Sequence, residues 1–501
     1  EGACNQMPSY PRWALGEQDK IRANNLLIRM VAPAIVEPGE LFALRVSVVG
    51  ADQMPAEFPV RLRFLDPEGW KGLPPEVEVR GEPVRLEGVS LANPGAYWLW
   101  ASFGADPQHR VASNPVLCQE SPRARIYFGD LHVHTLDGDC QPYLVKEPRF
   151  AFEYIRHVSF LDFSANTDHV HGLTASKWER QKALVREYDR PGEFVPFLAF
   201  ESSHASGFGG DNNGYYRDFE GDYFWIDHPE MSSTNAHIPL DALWRFMQER
   251  PYPSMTIPHH TGRAQKHRSW EDGWYNPDHE WLYEIYSCWG SSEERMSRYP
   301  IFNGNSAAPA YFRDALVRGC RFGVIASGDD HITMPNGASQ QGPPGSPRYG
   351  LYRHKGLAAV LASRLDRNAL WEGFQSRATY ATTFDRSILL FDADGVPAGS
   401  EIEVSSESQS ARRLSLRFLA GTPRHNAVQV TLIRNDQVLC TSERFDAGKP
   451  LEWQFLDEEP FEKVAIREAR YRPEPFVAYY VRVDYPMGGS AWSSPIWFWH
   501  R

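Results

Sequence analysis

The sequence lacks the long apolar runs of membrane-spanning helices, and its longest apolar clusters have the length of strands. It also lacks runs of Lys or Arg, and 52 basic residues against 64 acidic ones give a formal net charge of −12. No nucleic-acid partner is expected, because such partners are bound by clustered positive charge. The Gly-x-Ser-x-Gly elbow of serine hydrolases and the Gly-rich lysine loop of nucleotide-binding enzymes are absent too. These absences leave a globular protein of another functional class.

Cysteine is scarce and scattered, with no Cys-x-x-Cys pair that would indicate a thiolate zinc site. No disulfide scaffold is indicated either, although a bond between Cys4 and Cys118 is one alternative to simple burial. The six positions are Cys4, Cys118, Cys140, Cys288, Cys320 and Cys440. The chain starts at Glu1, which is compatible with removal of a signal peptide, so we expect a periplasmic or secreted protein, with a cytoplasmic one as the alternative. The sequence does not give the oligomeric state.

Alternating strand-like runs occupy both ends of the chain, and a different texture lies between them. LFALRVSVVG and AYWLWASFG, separated by Pro and Gly turns, predict a β-sandwich-like N-terminal domain over residues 1–123. LSLRFLAG and AYYVRVDY predict a second small β domain over 386–501. Residues 124–385 alternate strand and helix patterns, which favours an α/β domain with a parallel sheet.

Each apolar run of this central region ends in residues that can bind metals or transfer protons. RIYFGDLHVH, FLDFSANTDH, VPFLAFESSH, SMTIPHH and FGVIASGDDH are the five examples. Ligands gather beyond the carboxyl ends of parallel strands, so we expect these tails to meet. In the first run, His132 and His134 point to the same face of a strand and can present two imidazoles to one ion. A lone His-x-His pair is as often structural, but five such tails together favour a metal centre because buried imidazoles and carboxylates are costly unless paired or metal-bound.

The ordered motifs GDLHVHT with Asp139, then TDH, Glu201, PHH and GDDH resemble those of the PHP (polymerase and histidinol phosphatase) superfamily. The phrases RATYATT and AWSSPIWF are similar, more narrowly, to bacterial PHP-like proteins of unassigned function related to carbaryl hydrolase. The resemblance implies a distorted seven-stranded (β/α)7 barrel, here between two β-sandwich-like domains. It also implies two or three divalent ions, for which mixed His and carboxylate ligands suit Zn, Mn or Fe.

Carried onto this sequence, the resemblance implies one ion among four residues and two further sites beside it. Glu201 would bridge the first ion to a second, which a His of the PHH step would complete. His259 is favoured for that position, and His260 is the alternative. The implied metal ligands are His132, His134, Asp139, His169, Glu201, His259, Asp329 and His331.

Several further residues are candidates for supporting roles. Asp168 and Asp130 are expected to orient imidazoles, as metal-bound histidines require. Spacing from His134 favours Asp139 over Asp137 as a ligand. Glu284 and Asp330 are weaker candidates, with an ion pair and a loop acid as the respective alternatives. We assign Asp168, His260 and Arg217 to catalysis.

One expected phrase is missing. Relatives place a histidine after the Glu strand in a Gly-His-x-Asn phrase, whereas the nearest counterpart, GYYRD, has Tyr215 in that position. Occupancy by a full set of three ions is therefore open, with His204 or His260 as the substitute. Residues 202–237 predict a lid or substrate wall, or else a surface insertion, and PNGASQQGPPGSP after His331 has the same two interpretations.

The predicted reaction is hydrolysis of a small-molecule substrate by a metal-activated water. A phosphoester is favoured, and Arg217, Arg263 and His267 are the candidates to bind its anionic group. A carboxylic-ester or carbamate hydrolase is the alternative enzyme. A non-catalytic metal- or carbohydrate-binding protein is the alternative of another class.

Overall fold

The computed structural model describes residues 26–50, 53–104, 109–139, 145–224, 237–264, 268–304, 309–329, 331–337, 355–405, 411–423, 427–485 and 489–501. It consists mostly of β-strands with a few short helices. None of the described helices has the length and apolar character needed to span a bilayer. Four cysteines fall within the described residues, and all four are free thiols. Cys4, the possible partner of Cys118, lies outside the described residues, as do Cys140, His267 and Asp330.

The N-terminal region contains two antiparallel four-stranded sheets, ordered β1-β3-β7-β5 and β10-β9-β4-β6, and a three-stranded sheet of β2, β11 and β8. Their strands alternate buried and exposed residues, as in VRLRFL of β4, because one face of each sheet covers a shared apolar core. The strands are β1 (Leu27–Val31), β2 (Ile35–Val36), β3 (Phe42–Val49), β4 (Val60–Leu65), β5 (Trp70–Lys71), β6 (Glu76–Val79), β7 (Val84–Leu91), β8 (Gly95–Tyr97), β9 (Trp100–Phe103), β10 (Arg110–Ala112) and β11 (Val116–Cys118).

Within its described residues, the central region has ten strands and five helices. The strands are β12 (Arg125–Val133), β13 (Phe163–Asn166), β14 (Val195–Ser203), β15 (Asp211–Tyr216), β16 (Ser254–Pro258), β17 (Leu282–Ser287), β18 (Gly290–Ser291), β19 (Gly323–Ala326), β20 (Gly356–Ala362) and β21 (Thr379–Thr383). The helices are α1 (Pro148–Tyr154), which continues as a π turn (Ile155–Ser159), α2 (Ala175–Tyr188), α3 (Leu240–Gln248), α4 (Phe312–Val317) and α5 (Arg367–Gln375), with 3-10 turns at Leu136–Gly138 and Val170–Gly172.

The predicted (β/α)7 barrel is not seen in the described residues. Among the described strands of the central region, only β12, β13 and β14, and separately β17 and β19, pair in parallel. The pairs β14–β15, β15–β16, β12–β20 and β20–β21 are antiparallel. The first reversal follows from chain length, because the seven residues 204–210 between β14 and β15 suffice for a hairpin but not for a crossover. No ladder joins β16 to β17, so the sheets do not close.

This mixed topology still brings the expected segments to one edge of the large sheet. The carboxyl ends of β12 and β14 share that edge because the strands run parallel. β15 runs the other way, so its first residue, Asp211, pairs with Ser203 at the end of β14. β16 reverses again and ends beside Asn212, which places His259 at the same edge. Strand direction therefore explains how distant parts of the sequence meet.

The C-terminal region is not a separate sheet system. β21 pairs with β30, so a 13-stranded sheet runs from the central region through β30, β29, β26 and β27. A four-stranded sheet of β23, β22, β25 and β28 shares an apolar core with it. The elements are β22 (Ile388–Ala393), β23 (Val396–Pro397), β24 (Glu401–Glu403), β25 (Arg412–Leu419), β26 (Val428–Arg434), β27 (Gln437–Phe445), β28 (Leu451–Asp457), α6 (Phe461–Val464), β29 (Phe476–Tyr485), β30 (Gly489–Ser493) and β31 (Ile496–Trp499). The domain boundary at 385/386 remains a prediction, and the sheet crosses it.

A buried network of charged and polar side chains around Glu293 links the central and C-terminal regions. The Glu293 carboxylate accepts hydrogen bonds from Arg313 (3.1 Å), Arg482 (2.8 Å), the Tyr480 hydroxyl (2.8 Å) and the Trp492 indole (2.9 Å). Burial acts to raise the pKa of Glu293, but the guanidinium groups of Arg482 and Arg313 outweigh burial and lower it. The network therefore stabilises the charged carboxylate.

We expect Glu293→Gln to lower the free energy of unfolding at pH 7 by about 2 kcal/mol, since hydrogen bonds to charged groups contribute about 1.5–3 kcal/mol. Because the folded pKa lies below the ordinary value of about 4.5, the contribution is complete above that pH and is lost as pH falls through the folded pKa. Urea unfolding at pH 7 and pH 4 measures the difference. If the difference in unfolding free energy between Glu293→Gln and the unsubstituted protein stays constant or grows from pH 7 to pH 4, the proposed role of the charge is contradicted.

Candidate metal centre

His132 and His134 form the middle of the site at the end of β12. Their Nε2 atoms lie 3.2 Å apart. The Nε2 atom of His132 is 3.6 Å from Glu201 Oε2 and 3.5 Å from Asp329 Oδ1, and the corresponding distances from His134 are 3.2 and 3.3 Å. All four side chains are at most 3% exposed. Two imidazoles and two carboxylates thus converge in the interior.

His132, His134 and Asp329 lie close enough together to hold one divalent ion, and Glu201 Oε2 lies within 3.6 Å of both imidazoles. Tetrahedral ligands at about 2.1 Å from a metal are separated from one another by about 3.4 Å, and the five measured separations span 3.2–3.6 Å. Glu201 Oε2 and Asp329 Oδ2 are buried, and neither makes a hydrogen bond. Buried carboxylate oxygens without partners are costly unless a cation is bound. The donor set contains no thiolate, which suits Zn, Mn or Fe in a catalytic site.

His259 extends the site on one side. Its Nε2 atom lies 3.3 Å from Glu201 Oε1, and its ring centroid lies 4.4 Å from that of His132. The side chain is fully buried, yet neither ring nitrogen makes a hydrogen bond. His132, Glu201 and His259 therefore form a second group of donors close enough to hold an ion.

His259 also belongs to a group with Asp211 and His260. His260 Nε2 is 2.7 Å from Asp211 Oδ2, and His260 Nδ1 is 3.4 Å from Asp329 Oδ2. His260 (φ 31°) and Asp329 (φ 48°) both have left-handed backbone conformations, which are unfavourable for residues other than glycine. Strained backbone of this kind persists where the surrounding structure imposes it, and it is common at functional sites.

A third group, on the other side of His134, consists of His134, His169 and His331. The ring centroid of His134 is 4.0 Å from that of His331 and 4.5 Å from that of His169. This group shares His134 with the first one, and His169 Nδ1 also lies 3.1 Å from Glu201 Oε2. Asp139, which was expected here, is exposed and belongs to none of the groups found among the described residues. Asp137 is buried but pairs with Arg180.

Burial and charge shift the pKa values of the two central imidazoles in opposite directions. Burial acts to lower the pKa of His132, but the carboxylates of Asp329 and Glu284 outweigh it and raise the pKa well above its ordinary value. Burial and the neighbouring rings of His331 and His169 lower the pKa of His134 well below its ordinary value. Metal binding requires neutral imidazoles, so an ion bound here would displace the proton that the carboxylates favour on His132.

Two acidic residues support the cluster, each in a different way. Glu284 of β17 lies 3.0 Å from His132 Nδ1, so it orients this imidazole. Asp130 accepts hydrogen bonds from the backbone N–H groups of His132 and Gly328, and thereby holds β12 next to the segment that carries Asp329. The structure thus places Asp130 on backbone groups rather than on an imidazole.

Asp168, assigned to catalysis from the sequence, does not reach the cluster. It accepts hydrogen bonds from Thr135 N (2.6 Å), Thr135 Oγ1 (2.7 Å) and Gln181 Nε2 (2.8 Å). Burial raises its pKa to about 7, although the hydrogen bonds from Thr135 act in the opposite direction. Its contacts show a structural task, which is to hold the turn that follows His134.

The three cationic candidates have separate outcomes. Arg263 is 7% exposed, and its guanidinium lies 4.3 Å from the ring centroid of Trp289 and 3.3 Å from His260 Nε2. Its Nε–H makes no hydrogen bond. Arg217 instead pairs with Asp218 beyond the far end of β15, about 20 Å along the strand from Asp211. Arg217, which the sequence assigned to catalysis, therefore lies apart from the cluster, and His267 lies outside the described residues.

No protein-family model matches the chain. An uncharacterized protein of Chlamydia pneumoniae is 26% identical over 428 residues, which cover 83% of this chain and 64% of that protein. An uncharacterized protein of Chlamydia trachomatis is 31% identical over 271 residues, which cover 52% of this chain and 40% of that protein. The chain therefore spans less than two thirds of the length of either relative. The relation to carbaryl hydrolase stays a prediction.

Among solved structures, the chain is similar to a two-domain protein from Bacteroides vulgatus that contains a predicted PHP-like metal-dependent phosphoesterase. The identity is 10%, the TM-score is 0.35, and the alignment covers 71% of this chain and 90% of that one. A TM-score of this size does not define a shared fold.

Sequence reasoning missed Asp211. Residues 202–237 were predicted to be a lid or wall, but their first part forms the end of β14 and all of β15, while 225–236 lie outside the described residues. Tyr215 points elsewhere, since its hydroxyl donates to Leu131 O at 2.7 Å. The signal was present in Gly210-Asp211-Asn212-Asn213, which has the spacing of the Gly-His-x-Asn phrase with aspartate in place of histidine. His204 does not substitute, because its ring nitrogens contact Ser202 and the Ile238 carbonyl.

Proposed function

We propose that the protein is a metal-dependent hydrolase that acts on an anionic phosphoester. The observation that carries this proposal is the convergence of His132, His134, Glu201 and Asp329, of which His132, His134 and Asp329 have donor atoms close enough to hold one ion. The three other donor groups supply ligands for one or two further ions. A divalent ion bound by these donors supplies Lewis acidity, which makes a water molecule easier to deprotonate and polarises the ester oxygen.

In this proposal, His132, His134, Glu201, His259, Asp211 and Asp329 hold the ions, and His169 and His331 join His134 at the third position. His260 is the candidate for proton transfer, because its ring lies between the carboxylates of Asp211 and Asp329. The resemblance to the PHP superfamily in the sequence motifs supports the same assignment. Zn, Mn and Fe remain the candidate metals.

Arg263 distinguishes a phosphoester from a neutral ester. Stacking on Trp289 fixes the guanidinium beside His260 and leaves one of its N–H groups without a partner. Guanidinium groups bind phosphate oxygens well because their planar N–H groups match the spacing of those oxygens. A neutral ester or carbamate has no charge that would use this contact.

The test is a substrate panel with protein loaded in turn with Zn, Mn and Fe, after elemental analysis of the purified protein. We expect hydrolysis of para-nitrophenyl phosphate and competitive inhibition by inorganic phosphate. We expect Arg263→Gln to lower kcat/KM for this substrate by about 10²-fold, the loss of one charged contact in the transition state.

The matched control is Arg217→Gln, which removes a guanidinium distant from the site and should leave kcat/KM unchanged. Cleavage of para-nitrophenyl acetate or a carbamate in preference to the phosphoester, unaffected by Arg263→Gln, would instead establish the carboxylic-ester or carbamate hydrolase. Metal content without activity on any substrate would favour the non-catalytic binding protein.

A further inference from the structure

Three arginine side chains from distant parts of the chain approach one turn of the central region, away from the metal centre. Arg29 and Arg386 are buried there, and the Arg45 side chain is 24% exposed. Arg29 of β1 pairs with Ser47 of β3, and Arg45 lies two residues before Ser47. These three side chains therefore project from the same face of the sheet. That face contacts the turn after α1, where the Ser47 hydroxyl donates to Val158 O at 2.8 Å. Arg386, just before β22, reaches the same turn.

Each guanidinium has a contact that fixes its place. Arg45 lies 5.3 Å from the ring centroid of Phe160 and 3.6 Å from Asp162 Oδ1. Arg386 donates a hydrogen bond to the carbonyl oxygen of Ser159. Arg29 donates to the carbonyl oxygen of Asn336 and lies 5.8 Å from the ring centroid of Phe384, two residues before Arg386. The three cations thus surround residues 159–162.

The negative charge near them is insufficient. Asp162 is the carboxylate that acts on both Arg45 and Arg386. Burial raises the pKa of Asp385, the other nearby acid, to about 6, so Asp385 is still charged at neutral pH and two carboxylates face three arginines. At the rim, Arg45 also faces Arg85 and Glu193, whose charges oppose each other. Burial, together with Arg29 and Arg45, lowers the pKa of Arg386 to about 9. An arginine in such surroundings stays protonated in proteins, so the excess positive charge needs a counter-ion.

Two buried donor groups of the residues around this turn make no hydrogen bond. Arg29 is 7% exposed and its Nη1 group makes no hydrogen bond. Ser159 is fully buried and its hydroxyl makes none either. Uncompensated buried donors next to unbalanced cations are the features of a site for an oxygen-rich anion. We propose that Arg29, Arg45, Arg386 and Ser159 bind a tetrahedral oxyanion of the phosphate or sulfate type, at a site distinct from the metal centre.

This anion site joins three regions of the chain. Arg29 and Arg45 belong to the N-terminal sheet, Ser159 to the central region and Arg386 to the start of the C-terminal strands. Arg29 also holds Asn336, in the segment that carries His331. A bound oxyanion would therefore stabilise the packing of the N-terminal sheet against the part of the chain that supports the third group of metal-binding residues.

The test is thermal unfolding of the full chain in increasing sodium sulfate. Sulfate stabilises most proteins weakly and without saturation, whereas a site gives a saturable increase. We expect a saturable rise in Tm of about 2–4 °C at concentrations far above the Kd. Arg29→Met should abolish the saturable part, and Ser159→Ala should shift its midpoint to higher concentration by about 10-fold.

Two controls separate this site from others. Arg61→Met removes an exposed arginine of the same N-terminal region (side chain 64% exposed) and should keep the saturable response. His132→Ala should keep it as well, because the metal centre is not involved. A purely linear dependence on sulfate in the unsubstituted protein, or an unchanged saturable response in both Arg29→Met and Ser159→Ala, would overturn the proposal. In crystals soaked in selenate, anomalous density beside Arg29 Nη1 would support it directly.

Discussion

His132→Ala is expected to lose hydrolytic activity by on the order of 10³-fold or more, together with at least one bound metal ion per chain. The reason is that His132 belongs to two of the four donor groups, with His134 and Asp329 in one and with Glu201 and His259 in the other. Its removal also leaves Glu284 buried without its imidazole partner. Elemental analysis and kinetics with para-nitrophenyl phosphate measure the two effects on the same sample.

The matched control is His157→Ala. His157 is 38% exposed and pairs with Glu82 and Glu153 on the surface, so its loss should change neither metal content nor kcat/KM. If His132→Ala folds and keeps both its metal and its activity, the four-donor site is not the catalytic centre.

Arg268→Met is expected to lower the free energy of unfolding by about 3–5 kcal/mol, the range for breaking a buried ion pair by removing one partner. Arg268 and Glu280 are both fully buried, and Arg268 Nη2 lies 2.7 Å from Glu280 Oε1. Arg268 also donates to Asn212 Oδ1 (3.1 Å) and Gly209 O (3.0 Å), so it fixes the start of β15 next to Asp211. Loss of metal affinity at the group of Asp211, His259 and His260 should therefore accompany the loss of stability.

Denaturant unfolding tests this expectation at two pH values. Burial raises the pKa of Glu280 even with Arg268 in place, and removal of Arg268 raises it further. Protonation of Glu280 then removes its unpaired buried charge. The loss of unfolding free energy in Arg268→Met should therefore be smaller at pH 5 than at pH 8. Arg245→Met, at a surface pair with Asp241 (3.3 Å, side chain 67% exposed), should cost less than about 1 kcal/mol. An equal cost for both substitutions would show that the buried pair has no special role.

The sequence predicted the convergence of the strand ends but not the direction of the strands. The tails that carry His132, Glu201, His259 and Asp329 do meet, because hydrophobic runs and their polar ends are local features. Whether a connection crosses over or turns back depends on tertiary packing, and here the short link before β15 turns back. That reversal places Asp211 at the site, in the position of the histidine of the Gly-His-x-Asn phrase. The sequence comparison had matched Tyr215 to that histidine instead.

Residue type alone did not separate similar side chains. Asp139 and Asp137 are two positions apart, yet one is exposed and the other pairs with Arg180. Arg217 and Arg263 were both anion-binding candidates, and Arg217 was the one assigned to catalysis, but only Arg263 is stacked beside the cluster. Asp168 follows a strand as expected and still points towards Thr135 rather than an imidazole. Such distinctions depend on which face of a turn each side chain occupies, and one sequence does not encode that in a local pattern.

The hydrogen-bonded ladder between β21 and β30 has a consequence for dissecting the protein. A fragment that stops after Thr383 would leave the backbone groups of β21 on that side without their partner, and an open sheet edge of this kind recruits strands from other molecules. The same cut would remove Arg482, Tyr480 and Trp492, which donate hydrogen bonds to Glu293, and Arg313 would lose its contact with Tyr480. The part of the chain that contains the His132 cluster therefore depends on residues 384–501 to cover this edge, even though none of the described ones contributes a donor to the groups found around His132.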